Sequence, residues 1–202
     1  METRNLTIVF DAGEYRVAQY GQWDGYPEGA GIKILRFLRD EMYEFLFRTR
    51  LSRFNFVAEN DDIKKRIDKA FENGIGSYCF PEFSRDTGCD ILPIIQNDMA
   101  TTHYLGNRID FAADSVFCEW AYVVDFDHRT FEVFKGFNKT PLEENERFYF
   151  LNDKIDPDAC LSGTKYYQVK LAATFDLDNL PEDKEFLDEF KDDDEEANEC
   201  EE

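Results

Sequence analysis

Leu6-Thr7-Ile8-Val9-Phe10, Asp11-Ala12-Gly13 and Tyr15-Arg16-Val17-Ala18-Gln19-Tyr20 follow one another near the start of the chain. The first run is apolar and β-branched, the second is a turn signal, and the third alternates well enough to pair back onto the first. The spacing therefore predicts an N-terminal β-hairpin. A loop dense in glycine and aromatic residues runs from Gly21 to Gly31. Beyond it, Ile34, Leu35, Leu38, Met42, Phe45 and Leu46 recur at helical spacing, which predicts one amphipathic helix over 31–48. Asn60-Asp61-Asp62 ahead of Ile63, Ile67, Ala70 and Phe71, with Gly74 behind, marks a second helix. Cys79 to Phe83 reads as a turn, and Ile91, Leu92, Ile94 and Ile95 as a short helix with Pro93 in its first turn.

The second half of the chain returns to strands. Val116 to Phe126 and Arg129 to Phe134 are the clearest, with Asp127-His128 between them as a tight turn. Tyr149-Phe150 reads as a short strand and Lys165 to Phe175 as the last one. Leu180-Pro181-Glu182-Asp183 then opens a short acidic helix. The expectation is an α+β fold in a single domain. An antiparallel sheet, built from the N-terminal hairpin and the C-terminal strands, carries a middle helical layer and an acidic C-terminal tail. The globular part is expected over 1–175, and the short helix and disordered tail over 176–202.

Composition bounds the function. The chain has 202 residues, 43% of them hydrophobic, with 20 Phe and 10 Tyr, so wholesale disorder is excluded. Its formal charge is −21, from 44 acidic and 23 basic residues. Such a surface is a poor ligand for duplex phosphate, whose affinity comes from Lys and Arg displacing counterions. Residues 176–202 hold 15 acidic and 2 basic residues, a net of −13, against −8 for the preceding 175. Asp192, Asp193, Asp194, Glu195 and Glu196 form the densest run. It reads either as a solvated, self-repelling extension or as an electrostatic arm for a basic surface of another protein.

No stretch is long and apolar enough to span a membrane, and Met1 to Asn5 carries no leader pattern. Cys79, Cys89, Cys118, Cys160 and Cys200 form no CxxC pair, and there are 2 His, so neither a metal nor another cofactor is expected. Reduced thiols in a cytoplasmic protein are the default, with a Cys79–Cys89 bridge as the alternative.

The stretch Tyr15-Arg16-Val17-Ala18-Gln19-Tyr20-Gly21-Gln22-Trp23-Asp24-Gly25-Tyr26-Pro27-Glu28-Gly29 resembles a family of phage, bacterial and fungal proteins. These share a YGQWDGYP-like motif, then a small Gly-rich turn and a helix. The hairpin from Phe117 to Phe137 is similar to the family's second recurrent block, so the resemblance spans residues 4 to 137. Ala30 departs from the family pattern, in which a polar residue such as Gln is expected. The resemblance implies no activity, but it suits a phage-encoded protein acting in the host cytoplasm.

Several residues are candidates for chemistry. The Gly21–Gly31 loop reads either as an anion cradle with Trp23, Asp24 and Tyr26 around a ligand, or as a structural turn with the aromatics packed over the helix. It lacks the Gly-Lys-Ser/Thr of a Walker loop and the Rossmann spacing. Lys33, Arg36 and Arg39, spaced by three, share one helical face; with Arg48, Arg50 and Arg53 they form the basic region of the body. That face suits a nucleotide, an acidic partner, or the protein's own acids. Asp24, Asp125 and Asp127 are possible acid–base or cation-binding carboxylates, and His103 is a possible partner for a cysteine nucleophile.

Two functions follow. The first is a non-enzymatic acidic interaction protein, a phage-encoded inhibitor that occupies a basic, nucleic-acid-binding surface of a host defence protein. The second is a small-molecule or nucleotide binder, or hydrolase, using the aromatic loop 21–31.

Overall fold

A computed structural model describes residues 2–155, 160, 161 and 163–191. In chain order its strands are β1 (Asn5–Asp11), β2 (Glu14–Gly21), β3 (Asn55–Phe56), β4 (Tyr104–Leu105), β5 (Trp120–Asp125), β6 (Thr130–Lys135), β7 (Cys160–Leu161), β8 (Thr164–Lys165) and β9 (Lys170–Asp176). The α-helices are α1 (Ile32–Arg36), α2 (Glu44–Leu51), α3 (Asp62–Glu72), α4 (Gly76–Cys79), α5 (Ile91–Gln96) and α6 (Asp183–Asp188). The α+β expectation holds.

The N-terminal hairpin forms as read. Asp11 pairs with Glu14 across Ala12-Gly13, and both turn residues have positive φ, 56° and 77°. That handedness matches the twist of the flanking strands. Ala12 is held there from outside, because the Asp127 carboxylate accepts from the N–H groups of Ala12 (3.0 Å) and Gly13 (2.7 Å).

The main sheet has the order β2-β1-β5-β6-β9 and is mixed, not purely antiparallel. β1 and β5 run parallel, with Leu6 opposite Ala121 and Ile8 opposite Val123. The physical reason lies in the crossover. The chain leaves β2, builds the whole helical layer, and re-enters beside β1 in the same direction. Alternation on β5 then serves two cores. Tyr122 and Val124 face the helical layer with Val9, Leu35, Phe47, Ile91 and Phe131. Ala121 and Val123 face the other side with Leu6, Ile8, Phe134, Phe148 and Val169.

Four further readings change. The predicted helix 31–48 is two pieces. Helical backbone runs from Pro27 to Glu41, wide turns flanking α1, and Met42 N–H reaches back to Phe37 C=O at 2.7 Å. The chain then breaks at Met42-Tyr43, and the buried Gln96 amide repairs the gap. Gln96 Nε2 donates to Glu41 C=O (2.9 Å) and its Oε1 accepts from Tyr43 N–H (2.8 Å). Tyr149-Phe150 is not a strand but opens the helical turn Tyr149–Lys154, which covers the second core. The strand predicted from Val116 begins only at Trp120, since Cys118 N–H closes a turn onto Asp114 C=O at 2.8 Å. Lys165–Phe175 is interrupted where Gln168 C=O accepts from Asn138 Nδ2 (2.9 Å), and only β9 joins the main sheet.

The boundary at 175 also moves. Phe186 is fully buried and Phe190 nearly so, both in the helix-side core. Apolar side chains inside an acidic stretch pull it onto the body, so packed chain runs to Phe190. Asp192 to Glu196 lie outside the described residues.

Candidate functional site

The Gly21–Gly31 loop is built from its own polar groups. Asp24 takes a left-handed φ of 55°. Its carbonyl accepts from Ala30 N–H (2.8 Å), while Tyr26 C=O accepts from Gly29 N–H (3.0 Å) and Gly31 N–H (3.3 Å). Gly25 N–H donates to Thr3 C=O (3.0 Å). These four amides are already bonded to protein carbonyls and are not available to an anion. The buried Tyr122 hydroxyl donates to Gly25 C=O at 2.8 Å and pins the loop to β5. Gly29 has to be glycine, since a Cβ there would sit 2.4 Å from Asp24 O.

The predicted aromatic pair separates. Tyr26 packs against the helix-side core, whereas Trp23 is 50% exposed and donates its indole N–H to Asp86 (2.9 Å). Trp23 therefore does not cover the helix as the structural reading expected. Asp24 meets Lys33 at 3.4 Å.

The basic face is occupied by the protein's own carboxylates. Arg36 Nε donates to Asp183 Oδ2 (2.8 Å). Arg39 Nη2 donates to Asp183 Oδ1 (3.1 Å), and its Nη1 donates to Pro181 C=O (2.9 Å) and lies 3.4 Å from Glu182. Arg36, and then Arg39, hold the Asp183 carboxyl below the usual carboxylate range. Further along, Arg48 meets Asp11 (2.7 Å), Arg50 donates to Gln96 C=O, and Arg53 lies 3.8 Å from Asp98. Of the three partners the sequence allowed for this face, the structure brings up the third. The acidic start of α6 and the residues just before it lie on the basic row, and Phe186 and Phe190 anchor them beneath.

Asp125 and Asp127 share one turn, and both have structural duties. The connection between β5 and β6 spans residues 126–129, longer than the two-residue turn expected, and Arg129 carries φ 58°. The fully buried Asp125 carboxylate accepts from Asp127 N–H (3.0 Å) and His128 N–H (2.9 Å), lies 2.9 Å from His128 Nδ1, and pairs with Arg147. Burial pushes its carboxyl up. The His128 N–H, the Arg147 guanidinium and the His128 ring outweigh this and bring it below the ordinary value. Arg147 is in turn held by Glu132 at 2.6 Å.

Two of the described thiols, Cys89 and Cys118, are buried. Cys79, Cys89 and Cys118 are free, so the Cys79–Cys89 bridge is not formed. Burial pushes Cys89 up to about 12 and Cys118 well above its ordinary value. His103 stands 3.6 Å from Asp98 and edge-on to Phe54. Among the described residues no cluster of His, Cys, Asp and Glu could hold a metal, and no helix is long and apolar enough to cross a membrane.

A different region, missed in the sequence, is also concave. It is a cleft of about 690 Å³ beside β2, lined by Tyr20, Gln22, Phe83, Arg85, Arg108 and Phe111 among others. The signal lay in two arginines next to aromatics, Phe83-Ser84-Arg85 and Arg108-Ile109-Asp110-Phe111, but nothing local joins these segments.

Fold and pairing together define an acidic α+β protein whose basic face is covered by its own C-terminal segment. No family model matches the chain, and no curated protein or solved structure matches it either.

Proposed function

We propose that this protein acts by association, as a non-enzymatic acidic interaction protein that occupies a basic, nucleic-acid-binding surface of another protein. One observation carries the reading: the basic row Lys33, Arg36 and Arg39 is paired internally with Asp24, Glu182 and Asp183. The main cationic strip is thereby withdrawn from other ligands, and the surplus acid of a chain with charge −21 is left to face outward. Such a field speeds encounter with a positive surface and repels nucleic acid. The resemblance of Tyr15–Gly29 to phage proteins suits a host defence protein as the target.

The test is capture from host lysate with the full chain and with a chain ending at Lys191. A partner held electrostatically elutes as salt rises and is displaced by added nucleic acid. Retention at high salt, indifference to nucleic acid, or no captured partner overturns the reading. Loss of capture in the shorter chain assigns the contact to Asp192–Glu196 and the residues beyond; retention assigns it to the body.

A further inference from the structure

The cleft beside β2 is lined by two arginines, Arg85 and Arg108. Arg36, Arg39, Arg48, Arg129 and Arg147 are each held by carboxylates. Among the described residues, no carboxylate pairs with Arg85 or Arg108, although 44 acidic residues are available in the chain. Both guanidiniums are exposed and line the same cleft.

Both are also carried on backbone fixed to β2 or to the residue just after it. Gln22 N–H donates to Arg85 C=O (3.0 Å), and Arg108 N–H donates to Ala18 C=O (3.0 Å). Gln19 Nε2 adds a bond to Ser84 C=O (3.0 Å), and Asn107 bridges to Ala18. The segments bearing the two arginines are thus set before any ligand arrives, which reduces the ordering cost of binding. Around them stand half-buried rings. Tyr20 and Phe111 meet edge to face with centroids 5.0 Å apart, and Phe83 completes the aromatic lining.

We propose that this cleft binds a nucleoside 5′-monophosphate. A guanidinium fork matches phosphate oxygens in two-point contacts, and two such forks suit a dianion better than a single carboxylate. The aromatic lining offers faces for a planar base. Asp110 and Asp114 also border the cleft, the first 3.4 Å from Lys154 and the second accepting from Phe117 N–H at 3.3 Å. They accept from exocyclic amino groups and disfavour further phosphates, as does the acidic body. The volume falls within the roughly 300–1,000 Å³ usual for small-molecule sites. This site touches the Gly21–Gly31 loop only at Gln22 and is independent of the association reading.

Calorimetric titration of the full chain with AMP, ATP, adenosine and inorganic phosphate tests it. AMP is expected to bind saturably and more tightly than the other three. Arg85→Ala and Arg108→Ala are each expected to weaken AMP about tenfold or more, the worth of a charge-assisted hydrogen bond. Arg66→Ala, on the exposed face of α3, is expected to leave binding unchanged. Arg85→Lys and Arg108→Lys, which keep the charge but lose the fork, are expected to bind more weakly than the wild type. They decide the matter if an alanine variant loses its cooperative melt. No saturable AMP binding at millimolar concentration, adenosine binding as well as AMP, or unchanged affinity in the arginine variants overturns the proposal.

Discussion

Replacing Phe186 with alanine separates a C-terminal segment that belongs to the core from one that merely lies on it. The ring is fully buried. It stacks on Phe131 (6.0 Å between centroids, 11° between planes) and meets Phe175 at 5.1 Å and Phe190 at 5.2 Å. Gly31 lies beneath it, since a Cβ at that position would come within 3.0 Å of the Phe186 ring. Truncating a phenylalanine in such a setting costs about 3–5 kcal/mol, transfer and residual cavity together. With a urea slope of about 2 kcal/mol/M, the unfolding midpoint is expected to fall by about 1.5–2.5 M. Phe186→Leu, closer in volume, is expected to lose markedly less. Asp183→Asn removes the ion pairs above the ring, and these face solvent, so its midpoint is expected to move far less than that of the alanine variant. Released from α6, Arg36 and Arg39 are also expected to bind immobilised heparin under conditions where the alanine variant remains folded. A midpoint change below about 0.5 M, near 1 kcal/mol at that slope, would refute the assignment of α6 to the core.

Two further outcomes can be checked. Gly29→Ala forces a methyl against the Asp24 carbonyl and is expected to destabilise by about 1–3 kcal/mol in urea unfolding; a variant as stable as the wild type would show the loop to be looser than this packing. Asp125→Asn is expected to cost about 1–3 kcal/mol near neutral pH, the cost of buried donors left short of a charged acceptor. The folded carboxyl lies below its unfolded value of about 3.9, so its contribution is present above that pH and is lost as pH falls through the lower folded value. Melting curves of the two proteins should therefore converge in acid; a gap that persists at the lowest pH would assign the loss to packing instead.

Much of the secondary structure was legible because it rests on local physics. Alternation in Tyr15–Tyr20 and the Ala12-Gly13 turn mark the first hairpin locally, although the distant Asp127 carboxylate also holds the turn. The Asn60–Gly74 segment carries its own start, apolar stripe and stop. Where partners lie far away in sequence, local reading fails. The break at Met42-Tyr43 exists because Gln96, more than fifty positions on, satisfies the opened backbone. The helical turn at Tyr149–Lys154 exists because the second face of the sheet needs covering, a demand invisible in a sequence read for one core.

The candidate sites divide in the same way. That Lys33, Arg36 and Arg39 share a face follows from helical spacing alone, and so does the concentration of acid near the C-terminus. Which partner the row takes is a tertiary matter: the Phe186 and Phe190 rings seek the core and carry Glu182 and Asp183 onto the arginines. The cleft of Arg85 and Arg108 is tertiary throughout, because bonds from β2 and from Gln22 just beyond it bring residues 84–85 and 107–108 to one place. By itself the sequence determined an acidic α+β chain with a hairpin, a basic helix face and an acidic end. Only the folded structure decided that β1 and β5 run parallel, that the basic face is occupied, and that two arginines with no carboxylate partner among the described residues face one cleft. Net charge and periodicity are properties of the chain, whereas pairing and desolvation arise when distant segments meet.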